Sequence, residues 1–434
     1  MKRGFFTIMS AQFFSSLADN ALFVAAVELL LSSGAPEWQR AALVPMFALF
    51  YVVLAPFVGA FADALPKGRV MFISNAIKIV GCLMMLFGSH PLFAYAVVGL
   101  GAAAYSPAKY GILTELLPAS QLVKANGWIE GLTITSIILG VLLGGQLVGH
   151  KLSQWLLSID VPYINTGIDT PADAAIAALI LVYAIAAWFN LRIPLTGVEM
   201  RPLRHDPQRS IAANTLALLP DFWTCNSRLW HDRLGQISLS TTTLFWGAGG
   251  NLKFIVLAWA AVALGYNTTQ ASALTGVVAI GTAVGAVLAS MRMRLDIATR
   301  VIPLGIAMGV LLVLMVFITN LWVAVPFLIV LGGLGGFLVV PMNALLQHRG
   351  HNLMGAGRSI AVQNFNEQAA ILGLGALYSL SLKLGLSVFG AIIAFGVVVA
   401  GTMWLIRFWH YYNCKHHRAE VTNLLRIARR GNHH

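Results

Sequence analysis

Charge is what this sequence has least of. Only 10% of its 434 residues are Asp, Glu, Lys or Arg, whereas a soluble domain, whose surface must face water, carries about 25%. Hydrophobic residues make up 58% and mean hydropathy is +0.78, so most of the surface is matched to hydrocarbon. Cysteine is scarce too. Cys82, Cys225 and Cys414 stand far apart, which excludes a disulfide framework and a thiolate metal site. No Gly-x-x-x-x-Gly-Lys-Ser/Thr phosphate loop occurs, which argues against ATP-driven work within the chain. No His/Cys cluster or nucleophile elbow occurs either, so no metal, cofactor or enzymatic activity is expected. The first apolar run, from Phe5, carries Asp19 and Asn20 in its middle. The core of a cleavable signal would not, so this run reads as a retained first membrane helix.

What the sequence does have is apolar length. A spanning helix needs about 20 mainly apolar residues, and such runs lie near 5–31, 40–63, 69–88, 91–113, 123–149, 172–192, 236–263, 270–291, 299–319, 321–346, 358–382 and 386–409. That predicts an all-α membrane protein of about twelve transmembrane helices. With the N-terminus inside, the segments on one face collect most of the Lys and Arg, while the other face holds only Arg40, Lys151 and Lys383. This split fits the positive-inside rule with both termini cytoplasmic. It also accounts for the net charge of +12 without nucleic acid as a partner. The polar, basic stretch 193–234 reads as a cytoplasmic linker between an N-terminal six-helix half, 1–192, and a C-terminal half, 235–410. A basic cytoplasmic tail, 411–434, is suited to forming a helix on the membrane surface. Segment 151–173 is the one sizeable external loop.

The halves look duplicated. Gly99-Leu-Gly-Ala-Ala-Ala-Tyr-Ser-Pro107-Ala-Lys109 is echoed by Gly333-Leu-Gly-Gly-Phe-Leu-Val-Val-Pro341-Met-Asn343, six spans later, and each precedes a helix carrying Glu130 or Glu367. Polar side chains inside spans are expensive and mark function by default. The set here is Asp19 and Asn20 in the first span, Tyr105 and Lys109 in the fourth, Asn126 and Glu130 in the fifth, Lys253 in the seventh, Asn343 in the tenth, and Asn364 with Glu367 in the eleventh. Asp19 and Lys253 are opposite in sign and lie in different halves, so they are expected to pair across a central path; an ordinary interhelical salt bridge is the plain alternative. Lys78, in the third span, is expected to snorkel to the cytoplasmic face. Glycine clusters such as Gly140…Gly145 and Gly332…Gly336 predict close helix crossings.

Between the second and third spans runs Gly59-Ala-Phe-Ala-Asp63-Ala-Leu-Pro-Lys-Gly68-Arg69. Asp63 is placed to pair with Arg69 or to bind a helix start, and Gly68 to permit a tight turn. This loop resembles the signature loop of the major facilitator superfamily, GxxxD-(R/K)-x-G-R-(R/K), with Val70 in place of the last basic residue. Within that superfamily the chain resembles the bacterial lysophospholipid transporters. The segments that carry the likeness include Ala18-Asp-Asn-Ala-Leu22, Gly101-Ala-Ala-Ala-Tyr-Ser-Pro-Ala-Lys-Tyr-Gly-Ile-Leu113, Leu244-Phe-Trp-Gly-Ala-Gly249, Val340-Pro-Met-Asn-Ala-Leu-Leu-Gln347 and Ala361-Val-Gln-Asn364. The resemblance implies a major facilitator fold. It implies a flippase that carries lysophosphatidylethanolamine and lysophosphatidylglycerol from the outer to the inner leaflet of the bacterial inner membrane by alternating access. A separate acyltransferase/acyl-ACP synthetase is then expected to re-acylate the product. The resemblance also implies a conformational-switch role for Gly59, Asp63, Gly68 and Arg69, and substrate contact by Asp19, Asn20 and Lys109. Lys253 stands where these transporters commonly have Arg, which would make its pairing more point-like. The 151–173 loop and the tail are longer than the resemblance leads one to expect. The residues alone leave a second reading open, a proton-coupled facilitator for a soluble solute or drug working through Asp19, Glu130 or Glu367.

Overall fold

The computed structural model describes residues 3–116, 119–159, 162, 166–197, 199–200, 206–354 and 356–430. Among them every regular element is helical. The chain forms two compact units, Met1–Leu218 with Tyr266–Gly276, and Leu219–Gly265 with Val277–His434. The first contains α1 (Arg3–Ser32), α2 (Glu37–Val53), α3 (Ala55–Ala64), α4 (Lys67–Leu86), α5 (Pro91–Leu116), α6 (Ala119–Val148), α7 (His150–Leu157), α8 (Pro171–Leu191) and the short α9 (Ile211–Leu216). The second contains α10 (Leu218–His231), α11 (Gly235–Ala263), most of α12 (Thr268–Arg292), α13 (Ile302–Leu314), α14 (Leu321–Met354), α15 (Ala356–Lys383), α16 (Val388–His416) and α17 (Arg418–Arg430).

Among the described residues, ten helical segments are long and apolar enough to cross a membrane. Two of the twelve expected spans miss that standard, for different reasons. The second is broken in two. α2 stops at Val53 and α3 restarts at Ala55 with Pro56 in its first turn, where the missing N–H interrupts the ladder. The eleventh, α15, is long enough at 28 residues, but Gln363, Asn364, Asn366, Glu367 and Gln368 lower its hydropathy. With both of these included, the described helices account for the twelve spans the sequence leads one to expect.

Packing explains why the spans are rich in small residues. In the first unit α1 lies against α6 and α8, α4 against α5 and α8, and α2 against α5. In the second, α11 lies against α14, α15 and α16, and α13 against α16. A Cβ added to Gly99 would overlap the Phe47 carbonyl, and one added to Gly285 would overlap that of Gly333. The two echoed glycine segments therefore do equivalent work. Each lets its span, α5 or α14, meet a neighbour, α2 or α12, backbone to backbone. Both also stay helical through their prolines, Pro107 and Pro341. The segment expected as an external loop contains α7. Helix α8 begins with a capped first turn, where Thr170 Oγ1 accepts from the Asp173 N–H at 3.2 Å and Pro171 follows.

Candidate functional site

The site grows from two helical repeats facing each other. Ser15 and Asp19 lie one turn apart on α1, and Asn75 and Lys78 lie one turn apart on α4, so each pair shares a face. Lys78 Nζ donates to Asp19 Oδ2 at 2.8 Å and to Ser15 Oγ at 2.9 Å. Ser15 Oγ donates onward to Asn75 Oδ1 at 2.7 Å. From α8, the Tyr183 hydroxyl donates to Asp19 Oδ1 at 2.6 Å. The ammonium also stands 5.0 Å from the centre of the Tyr105 ring and 5.6 Å from that of Tyr183, close enough for cation–π attraction. The fit depends on Gly101 of α5, where a Cβ would come within 2.7 Å of Lys78 Cγ and 2.6 Å of the Ser74 carbonyl.

Exposure is unequal across the ion pair. The Lys78 side chain is 1% exposed and that of Asp19 21%. The cation is sealed behind its counter-ion, and the carboxylate is the end that can meet a cargo. Ionised, it has only acceptor sites, so its open edge suits a hydroxyl or an ammonium group. A charge buried this deeply must be paired, and removing one partner of such a pair costs about 3–5 kcal/mol.

This geometry corrects one expectation. Lys78 does not snorkel; it is a member of the buried cluster, and within the first unit it is the cation that pairs with Asp19. Three other members, Ser15, Asn75 and Tyr183, were not singled out in the sequence. Of the remaining predicted residues in this unit, Asn20 donates to the Ser16 carbonyl of its own helix at 2.9 Å. Tyr105 is buried, and its hydroxyl has no hydrogen-bond partner among the described residues. Lys109 is half-buried one turn further along α5, with Nζ 4.6 Å from the Tyr110 ring centre. The side chains of Asn126, Glu130 and Asp63 lie outside the described residues.

In the expected switch loop, Gly59 is helical, in α3, with open space where a Cβ would sit. Gly68 is not a turn residue. It lies in the first turn of α4, and its lack of a side chain leaves room for the end of α8, since a Cβ would come 3.0 Å from the Asn190 carbonyl. Arg69 is exposed. The buried basic residue here is Lys67, which donates to the Ala62 carbonyl at 2.8 Å and stands 3.4 Å from Glu115 Oε1. Glu115 in turn accepts from Thr196 at 2.7 Å.

The second unit holds a smaller cluster. Gln363 Nε2 donates to Asn343 Oδ1 and, at 2.8 Å, to Glu367 Oε1. It thereby joins two residues that the sequence marked separately. Asn364 and Lys253 are half-buried, on α15 and α11. Asn251 clips those helices together by donating to the Ile371 carbonyl at 3.2 Å. α10, part of the expected linker, docks on α15. Trp230 Nε1 donates to Asn366 Oδ1 at 3.1 Å, and Asn366 donates to Asn226 at 2.8 Å. Arg349 grips Asp232 with two bonds while the Asp232 carboxylate caps the start of α11 through the Gly235 N–H at 2.7 Å.

A multi-span helical protein with echoed glycine segments and an ion pair buried in a membrane helix is a membrane transporter by class. It belongs to the Major Facilitator Superfamily, which the chain matches over residues 8–374. Among curated relatives, the "Lysophospholipid transporter LplT" of Yersinia enterocolitica is 41% identical over 389 residues, covering 89% of each chain. The protein of the same name from Yersinia pestis is 41% identical over 386 residues, covering 89% of this chain and 88% of that one. Among solved structures, the inward-facing, unoccupied bacterial homologue of the human lysosomal transporter Spinster aligns with a TM-score of 0.60 at 15% identity, over 98% of this chain and 96% of that one. A point mutant of the nucleoside transporter NupG aligns with a TM-score of 0.65 at 12% identity, over 94% of this chain and 99% of that one. These two likenesses are of fold alone.

Proposed function

We propose that the protein carries lysophospholipids, chiefly lysophosphatidylethanolamine and lysophosphatidylglycerol, from the outer to the inner leaflet of a bacterial inner membrane. The mode is alternating access, and a separate cytoplasmic acyltransferase/acyl-ACP synthetase takes the product. The observation that carries this reading is the 41% identity over 389 residues to a lysophospholipid transporter. The chemistry of the first cluster supports it. A single-chain lipid has an apolar tail that the bilayer accepts and a polar head that it blocks. The open edge of Asp19 takes an ethanolamine ammonium or a glycerol hydroxyl. The half-buried Lys109 and Lys253 neutralise phosphate in a low-dielectric setting. The unpartnered hydroxyl of Tyr105 bonds the head group, as do Asn20, Asn126, Glu130, Asn343, Asn364 and Glu367. Gly59, Asp63, Gly68 and Arg69 act in the conformational switch. The lopsided distribution of Lys and Arg supports cytoplasmic termini, with 1–192 and 235–410 as the six-helix halves and 193–234 as the linker.

The test is reconstitution. Proteoliposomes receive labelled lysophosphatidylethanolamine in the outer leaflet, and its disappearance from an impermeant quencher is followed. Protein-dependent inward movement is expected. Asp19→Ala and Lys253→Ala should each abolish it, and Lys253→Arg should be tolerated. No movement of either lysolipid, together with proton-coupled uptake of a soluble solute, would overturn the proposal.

A further inference from the structure

The last described helix, α17, plays no part in the transport reading above. Its sequence is strongly two-faced. Val421, Leu424, Leu425 and Ala428 recur at helical spacing and form one stripe, while Arg418, Arg429 and Arg426 follow one another along its flank. In many surface helices such an apolar stripe is left over for an unknown partner. Here it is already used. Val421 and Ala428 are 3% and 0% exposed, and α17 packs against α16 and the turn Leu295–Val301. Arg233 pairs with Glu420 at 3.6 Å. The helix is thus held to its own unit, and its exposed surface carries Arg418, Arg426 and Arg429 alongside Thr422, Asn423 and Ile427.

A basic face in open water would be an ordinary solvated surface. The tether to α16 argues for a different setting. At 29 residues α16 is about 43 Å long, some 13 Å more than a hydrocarbon core of about 30 Å, so its last turns pass through the headgroup layer. The exposed aromatic residues near its end fit that layer. Trp404, Phe408, Tyr411 and Tyr412 are 56%, 57%, 63% and 46% exposed, and Tyr and Trp collect where hydrocarbon meets water. Only His417 separates α16 from α17. A docked helix that begins so soon after Tyr412 lies at the depth of lipid phosphates, with Arg418 and Arg426 exposed and Arg429 exposed beside Asp296.

We propose that the exposed face of α17 binds anionic phospholipid head groups, with Arg418, Arg426 and Arg429 taking the phosphates. Guanidinium forks match phosphate oxygens with paired hydrogen bonds, and basic residues beside an anionic membrane surface each contribute about 1 kcal/mol. The leaflet is the cytoplasmic one, which rests on the orientation proposed above. The test below uses discs with the same lipid in both leaflets, so its outcome is independent of orientation and of transport.

The full chain is placed in nanodiscs of phosphatidylcholine alone, or in discs where phosphatidylglycerol replaces about a third of it, enough to give an anionic surface. Amide hydrogen exchange is then followed across 418–430 and across α16. Exchange in α17 is expected to slow at least about fivefold in the anionic discs, the factor equivalent to one surface arginine. High salt should cancel the effect by screening. The triple variant Arg418→Gln, Arg426→Gln, Arg429→Gln should lose the lipid dependence while exchange in α16 stays unchanged, which shows that the variant is folded. Equal exchange in the two kinds of disc, or a lipid effect that survives in the triple variant, overturns the proposal.

Discussion

Lys78 lies eleven residues into α4 from Lys67, about 16 Å along the helix axis, deeper than a lysine side chain can reach back. Depth alone thus argues against snorkelling, yet position along one helix does not say which face meets a partner. Asp19 was legible because a carboxylate in an apolar run is conspicuous. Tyr183 and Asn75 were not, because a tyrosine or an asparagine in a span usually serves packing, and only the contact with α1 gives these two a task. Replacing Lys78 with Ala strands the Asp19 carboxylate. The expected loss is about 3–5 kcal/mol of stability, read as a lower melting temperature in detergent, together with loss of lysolipid movement. The double variant Asp19→Asn, Lys78→Met removes both charges, so most of the stability should return while transport stays lost. Recovery of transport in the double variant would show that the pair serves packing only.

At the level of helices, the spans were readable from apolar length, and the glycine clusters correctly announced close crossings. The break between α2 and α3 was not legible, although Pro56 carries the signal. It was masked because both sides of the break are equally apolar. α15 was readable as a span only in outline, since its polar residues divide between jobs that sequence cannot separate. Gln363 links Asn343 to Glu367, whereas Asn366 holds α10. Close crossing makes a quantitative demand. Gly285→Val forces a branched side chain into the backbone of α14 and should lower stability by about 1–3 kcal/mol. Gly249→Ala, in α11 with open space around the new methyl, should be tolerated and raise stability by up to about 1 kcal/mol. A thermal-shift comparison of the two checks whether these crossings are as tight as described.

For the molecule as a whole, composition was enough to place the chain in a membrane, and the local motifs were enough to place it in its superfamily. That the start of α12 groups with the first unit was not visible. The first turns of α12 count with the first unit, where Thr268 donates to Glu28 at 2.5 Å and Thr269 to the Gly145 carbonyl at 2.8 Å. Threonines at a helix start give no hint in sequence of so distant a partner. The sealed lysine behind its carboxylate has a consequence for energetics. Moving one unit of charge through a membrane voltage takes about 2.3 kcal/mol per 100 mV. Asp19 and Lys78 travel as a neutral couple, so a rearrangement of the first unit draws no electrical work from either of them. Their joint presence should leave turnover of zwitterionic lysophosphatidylethanolamine by the unaltered protein insensitive to a potassium diffusion potential of either sign, followed in the same reconstituted assay.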